Sequence, residues 1–272
     1  MRLAIKIPII LVVIIVGLGV LFYPDISHWW NSRVHADLIF SHNEELAQLR
    51  EEYIQEHWRR AHAYNYNLSQ NPLLGGNRAN FDLEYYRSLL NIGGVMALVE
   101  VPAINVRLPV FHTTSHETLL RGVGHLENTS LPVGGANTHS VLTAHSGLAA
   151  QRLFTDLEDL GIGQLFFIQV LGETLAYQVD QRRVVLPHEI EDIRIVPGAD
   201  HVTLITCTPY AINSHRLLVR GIRVPYEPGM EELIELILPD EPWALDIRVK
   251  IVAGILAFFI LILIIKLRRR RR

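Results

Sequence analysis

The amino-acid sequence predicts a mainly β protein: a closed or nearly closed barrel, preceded by a helical segment and flanked by two transmembrane helices. The central part contains seven short segments rich in β-branched and aromatic residues, with little helix between them, which is typical of a barrel. The residues before about position 90 are polar with helical spacing, and one long apolar run lies near each end of the chain.

The first element, residues 1–23, is predicted to be a membrane anchor. Its apolar run covers 7–23, close to the roughly 17 to 25 residues that a spanning helix needs, and Arg2 and Lys6 precede it. A cleaved signal peptide is the alternative. The run is long for such a peptide and residues 22–25 offer no small-residue cleavage site, so a retained anchor is favoured.

The last three elements are predicted to be an acidic stalk at 228–248, a second transmembrane helix at 249–267 and a basic tail at 268–272. The apolar run 251–265 lies between Lys250 and Lys266, and five arginines follow it. A buried core helix is the alternative, but basic residues directly after an apolar run are typical of a cytoplasmic end. We therefore expect two spans in the plasma membrane, with both termini cytoplasmic and the domain between them on the extracellular face.

Residues 24–90 are predicted to be a helical segment interrupted by a loop. Ser41 and Glu44 match a capping box, which predicts that a helix begins there. Proline and paired glycines interrupt the helical pattern at 71–76, and a short helix is expected at about 82–90.

Residues 91–227 are predicted to form the barrel, punctuated by proline and glycine turns. The predicted strands cover 95–101, 106–110, 140–144, 165–171, 175–182, 202–206 and 217–224.

Charge and cysteine content exclude several classes of function. Nine of the 25 basic residues lie in the two ends, which leaves 16 against 28 acidic residues, a charge near −12 for the central part. Nucleic-acid binders carry basic faces, so no nucleic-acid partner is expected. A single cysteine provides no disulfide framework, and no metal or other cofactor is expected. His112 and His116 are four residues apart, but no further ligand set accompanies them.

The lone cysteine is the candidate nucleophile. Cys207 ends an apolar strand two residues before Pro209, and a hairpin would bring Arg216 back beside it. His145 ends a second strand. A thiolate, an imidazolium and a guanidinium can serve as nucleophile, acid and oxyanion support. A buried structural cysteine remains the alternative, because 13 histidines provide many accidental partners.

Several stretches closely resemble sortases of class C. They are the segment 206–210 (TCTPY) with Asn213 and Arg216, the segment 119–126 (LLRGVGHL) and the segment 143–148 (TAHSGL). The resemblance covers about residues 45–226 and both membrane segments. Glycine and arginine are commoner in the family where Ala144 and Ser146 stand.

The resemblance implies an eight-stranded barrel and a cysteine transpeptidase that polymerises pilins. Cys207 would cleave an LPxTG-type sorting signal between Thr and Gly, His145 would protonate the leaving amine, and Arg216 would position the substrate and support the oxyanion. A lysine of the next pilin subunit would then resolve the thioacyl enzyme. Thr206 and Thr208, which flank the cysteine, are candidate substrate-binding residues.

The resemblance also places a lid over the thiol at Asn71, Pro72 and Leu73, where the family has an aspartate, a proline and an aromatic residue. The acid and the aromatic are missing here, so we expect a loosely held lid. Two alternatives stay open. One is a housekeeping sortase that anchors proteins to peptidoglycan, and the other is an inactive, membrane-tethered binding module.

Overall fold

The computed structural model describes residues 2–70, 81–148 and 150–230, together with Ile251, Gly254, Phe258 and Ile262. Among these residues, no helix is both long and apolar enough to cross a membrane. Asn71, Pro72 and Leu73 of the predicted lid, nearly all of the stalk, most of the second span and the basic tail lie outside the described residues. Those predictions therefore stay predictions.

Eight strands close into a barrel, as the resemblance implied. They are β1 (Ala97–Val101), β2 (Val106–His112), β3 (Val123–His125), β4 (Thr138–Thr143), β5 (Leu165–Val170), β6 (Glu173–Val185), β7 (Asp200–Thr208) and β8 (His215–Val224). Their order around the barrel is β1-β2-β3-β4-β7-β8-β6-β5, and β5 pairs with β1 to close it. The β2–β3 and β4–β7 pairs are parallel and all others are antiparallel.

The barrel interior is filled by large side chains that fix how the strands approach one another. Phe166 of β5 and Tyr177 of β6 are fully buried and stack with ring centroids 5.6 Å apart. Gly221 of β8 faces this pair, and a Cβ there would lie 2.5 Å from the Phe166 ring. Only glycine therefore lets β8 approach so closely. This packing holds β8, which carries Arg216, firmly against its neighbours.

A long helix, α1 (Arg2–Gln48), contacts the barrel through its second half. Asn31 donates its side-chain amide to the Ala150 carbonyl at 2.9 Å, and the His35 and His42 rings bond the carbonyls of Arg121 and Ile92. Burial lowers the pKa of both histidines, so each is neutral at pH 7 and donates one N–H. Apolar contact joins α1 to the barrel through Ile39, Val95, Leu98 and Phe111.

The predicted helix start at Ser41 is wrong. Ser41 lies inside α1, and its hydroxyl donates to the Asp37 carbonyl one turn earlier, at 2.8 Å. Ile39 before it and Leu46 after it pack on barrel residues, so the helix continues through the capping-box motif. The second helix, α2 (Glu51–Gln70), begins instead after a break at Arg50.

Two short helices complete the described part of the chain. The helix expected at about 82–90 is α3 (Leu83–Ser88), capped by the Asp82 side chain. The helix α4 (His116–Arg121) and the three-residue strand β3 after it were not predicted. Parallel strands cannot be joined by a tight hairpin, so the chain between β2 and β3 must cross over, and α4 forms that connection.

Candidate active site

Cys207, His145 and Arg216 meet at one edge of the barrel, as the sequence predicts. Strands β4 and β7 are parallel with Thr143 beside Ile205, so their carboxyl ends lie together and His145 follows β4 at the level of Cys207. Strand β8 returns antiparallel to β7 and places Arg216 directly opposite Cys207. Directly opposed residues have Cβ atoms about 4.5–5.5 Å apart on one face of the sheet, so this hairpin brings Arg216 close to Cys207.

Cys207 and Arg216 are both half-buried at this edge of the barrel. Arg216 Nη1 donates to the carbonyls of Asn213 and His215, at 3.2 and 3.0 Å. These two bonds tie the guanidinium to Asn213 in the loop between β7 and β8 and to His215 at the start of β8. The arginine is thereby held beside the thiol by its own backbone.

His145 is half-buried, and its Nε2 lies inside the protein without a hydrogen-bond partner among the described residues. Its carbonyl accepts the Phe154 N–H at 3.1 Å, which closes the loop that follows β4. Burial lowers the pKa of His145, and the neighbouring His116 lowers it further. The imidazole is therefore neutral at pH 7 and can accept a proton from a thiol.

Three hydrogen bonds join the His145 loop to the Cys207 strand. Ala144 N–H donates to Ile205 O at 3.1 Å, and the Thr206 hydroxyl donates to Ala144 O at 2.9 Å. The Ser146 hydroxyl then donates to Cys207 O at 2.6 Å. Because Ser146 follows the histidine and bonds the carbonyl of the cysteine itself, it fixes the two reactive residues relative to each other.

Thr206 and Thr208 already have protein partners for their hydroxyls. Both residues are buried, and the Thr208 hydroxyl donates to Glu158 Oε1 at 2.6 Å. Glu158 lies in the short 3-10 helix Thr155–Asp159. These bonds give the two threonines a structural role, while a direct contact with the substrate stays a prediction.

The residues considered for a metal are not assembled into a site. His112 lies in β2 and bonds the Leu89 carbonyl through Nε2 at 2.6 Å, whereas His116 lies in α4 near His145. Over the described ranges there is no group of three or more histidine, cysteine or acidic residues that could hold a metal ion.

Comparison with known proteins identifies the family of this chain. The sortase domain matches residues 99–224. The structure resembles that of sortase C1 of GBS Pilus Island 1, with 43% identity, a TM-score of 0.66 and coverage of 71% of this chain and 94% of that one. The chain belongs to the sortase family. Sortase C-1 from Actinomyces oris is 47% identical, with a TM-score of 0.60 and coverage of 64% and 99%. Sortase A of Streptococcus agalactiae is 22% identical over 207 residues, with coverage of 74% of this chain and 77% of that protein.

The protein is thus a sortase, a transpeptidase, and its similarity to sortase C1 structures supports class C. The sequence does not predict the contacts that three residues make near the site: Ser146, His116 and Glu158. Each acts through a contact between distant parts of the sequence, which no local pattern reveals.

The Ser146–Cys207 bond predicts a specific loss of activity. Ser146→Ala should lower kcat/KM for peptide transfer about tenfold, because the Cys207 carbonyl loses a buried donor and the thiol and imidazole lose their alignment. Ser146→Thr, which keeps the hydroxyl, should recover most of the rate. The measurement is steady-state kinetics beside a thermal melt.

Thr138→Val provides the matched control. Its hydroxyl is also buried and donates to a carbonyl, Gly135 O, at 2.6 Å, but at the other end of β4. The Thr138→Val variant should lower the melting temperature without a selective loss of kcat/KM. Equal kinetic losses in Ser146→Ala and Thr138→Val would show that Ser146 matters only for stability.

Proposed function

We propose that this sortase polymerises pilins, cleaving an LPxTG-type sorting signal between Thr and Gly and joining the Thr carbonyl to a pilin lysine. The observation that carries the proposal is the placement of Cys207 opposite Arg216 and level with His145 at one barrel edge. The name of a structural relative, sortase C1 of GBS Pilus Island 1, supports the pilus assignment.

The first half of the reaction forms a thioacyl enzyme. His145 takes the thiol proton, and the Cys207 sulfur attacks the Thr carbonyl carbon to give a tetrahedral oxyanion. Arg216 lies opposite the thiol and stabilises the negative charge on that oxygen. The carbon–nitrogen bond then breaks, and the proton on His145 goes to the departing glycine amine.

The second half transfers the acyl group to an amine. A pilin lysine in its neutral form attacks the thioester carbonyl, His145 accepts the proton that the amine loses, and the Cys207 thiolate leaves. The imidazolium then returns its proton to the thiolate, so atoms and charges balance over the cycle. The sortase's own lysines are Lys6, Lys250 and Lys266, so residues 24–248 offer no side-chain amine that could compete.

The test uses the full chain in detergent with a pilin that carries an LPxTG-type signal and an internal lysine. Mass spectrometry should locate an amide between the Thr carbonyl and that lysine, and a pilin with the lysine replaced by arginine should give only thioacyl enzyme or hydrolysed product. A peptidoglycan-precursor amine is offered in competition. Transfer only to that amine would replace pilin polymerisation with the housekeeping function, and no turnover would favour an inactive binding module.

Membrane anchoring through both apolar runs, with the catalytic domain outside, belongs to the same proposal. Helix α1 continues from the first run to the barrel, where Asn31 bonds Ala150 in the segment after His145. A Cβ at Gly254, in the second run, would lie 3.8 Å from the Phe22 ring and 4.0 Å from Leu18. This contact supports two runs that pack side by side.

Topology is checked with a single cysteine added after Arg272 in a Cys207→Ala background. If both termini are cytoplasmic, a membrane-impermeant maleimide should label it only after the cells are opened. A cysteine substituted at Arg33, in the segment proposed to be external, should be labelled in intact cells and serves as the control. Labelling after Arg272 in intact cells would overturn this topology.

A further inference from the structure

A second histidine lies beside the catalytic one. The rings of His116 and His145 have centroids 6.4 Å apart and planes at 71°, an edge-to-face arrangement. His116 is the first residue of α4, whose N-cap Ser115 accepts the Thr118 N–H, so the helix start fixes its backbone. Its side chain is exposed, whereas His145 is half-buried with an unpartnered Nε2. The exposed ring of His116 therefore lies beside the half-buried ring of His145.

Several charged groups near the His145 loop form ion pairs or hydrogen bonds of their own. Arg152 and Asp156 pair with each other at 2.8 Å, and both lie near His28 of α1. Glu158 accepts from Thr208, and Arg216 bonds its own loop. Apart from burial, His116 is the one group within the described part of the chain that contributes to the lowered pKa of His145. Glu117 and Arg121 lie on α4 with His116, and Cys207 and His215 lie on β7 and β8.

We propose that His116 is a positioning residue for transpeptidation: the charge it carries controls how readily His145 takes up the proton of Cys207. A cation at this place repels the imidazolium of His145, and a neutral imidazole does not. Protonation of His116 therefore opposes formation of the thiolate–imidazolium pair. This effect acts at the proposed catalytic site, and its role in catalysis rests on the proposed function.

The proposal predicts an ordered charge series at position 116. In full-length protein carrying Cys207→Ala, the pKa of His145 followed by NMR should be lowest for His116→Lys, higher for His116→Gln and highest for His116→Glu. Two charges about 6 Å apart near the surface give about 0.5 to 1 pH unit for each step. Comparison with a His145→Gln spectrum assigns the resonance. In the active enzyme, the midpoint of the acid limb of kcat/KM should move in the same order.

Glu117 is the matched control, because it is the next residue of α4, is also exposed and does not contribute to the pKa of His145. Glu117→Gln and Glu117→Lys should leave that pKa within about 0.2 unit. Equal pKa values across the three His116 variants, or a Glu117 effect of the same size, would overturn the proposal. The NMR titration requires no acyl transfer, so its result stands apart from success or failure of the pilin assay.

Discussion

Cys207→Ala should abolish both polymer formation and capture of the thioacyl enzyme. Cys207 is the only cysteine of the chain, so no second thiol can replace it. Cys207→Ser should also lose at least about a thousandfold in rate, because a serine hydroxyl ionises far less readily than a thiol. His145→Ala should cost about 10²- to 10⁴-fold, the usual range for losing a general acid and base. The measurement is the single-turnover rate with an LPxTG-type peptide.

Folding has to be separated from chemistry in these variants. Cys207 is half-buried at a strand end, so alanine removes one sulfur atom from a partly open position, and the melting temperature should change by a few degrees at most. Substantial transfer by folded Cys207→Ala would remove the nucleophile assignment. Wild-type rates in His145→Ala would show that solvent or another group handles the proton.

Much of the fold could be predicted because the strands carry their own pattern. The seven predicted strands all exist, with ends that differ by up to three residues. Strand β3 was missed because three residues that include Gly124 show no alternation, and it is held by pairing with β2 and β4 instead. Closure of the barrel through β1 and β5 is likewise a contact between distant segments, so only the resemblance indicated eight strands.

The candidate active site could likewise be predicted only in part. The sequence placed Cys207, His145 and Arg216 at strand ends, and pairing of β7 with its neighbours brings them together. The layer behind them could not be predicted. The bond from Ser146 to the Cys207 carbonyl spans 61 residues, and that from Thr208 to Glu158 spans 50. The wrong prediction of a helix start at Ser41 has the same origin, because packing on the barrel overrides a local capping motif.

Arg216→Lys should fail to restore the activity that Arg216→Ala loses. We expect alanine to lower kcat/KM by at least about 10²- to 10³-fold, as for removal of a donor to an oxyanion. The guanidinium already donates to Asn213 O and His215 O, and its planar fork has further N–H groups for a substrate oxygen. A lysine ammonium is a compact point charge that cannot keep both loop bonds and meet that oxygen in the same plane.

Arg220→Lys on the same strand is the control for this pair. Arg220 pairs with Asp180 at 2.6 Å and lies opposite Thr203, which is four residues from Cys207 along β7. Because a lysine can still pair with that aspartate, the rate should stay close to wild type.

Loss mainly in kcat for Arg216→Ala indicates oxyanion support, since the interaction then exists only in the transition state. Loss mainly in KM indicates that the arginine only holds the substrate backbone, and a fully active Arg216→Lys shows that positive charge at this position is sufficient.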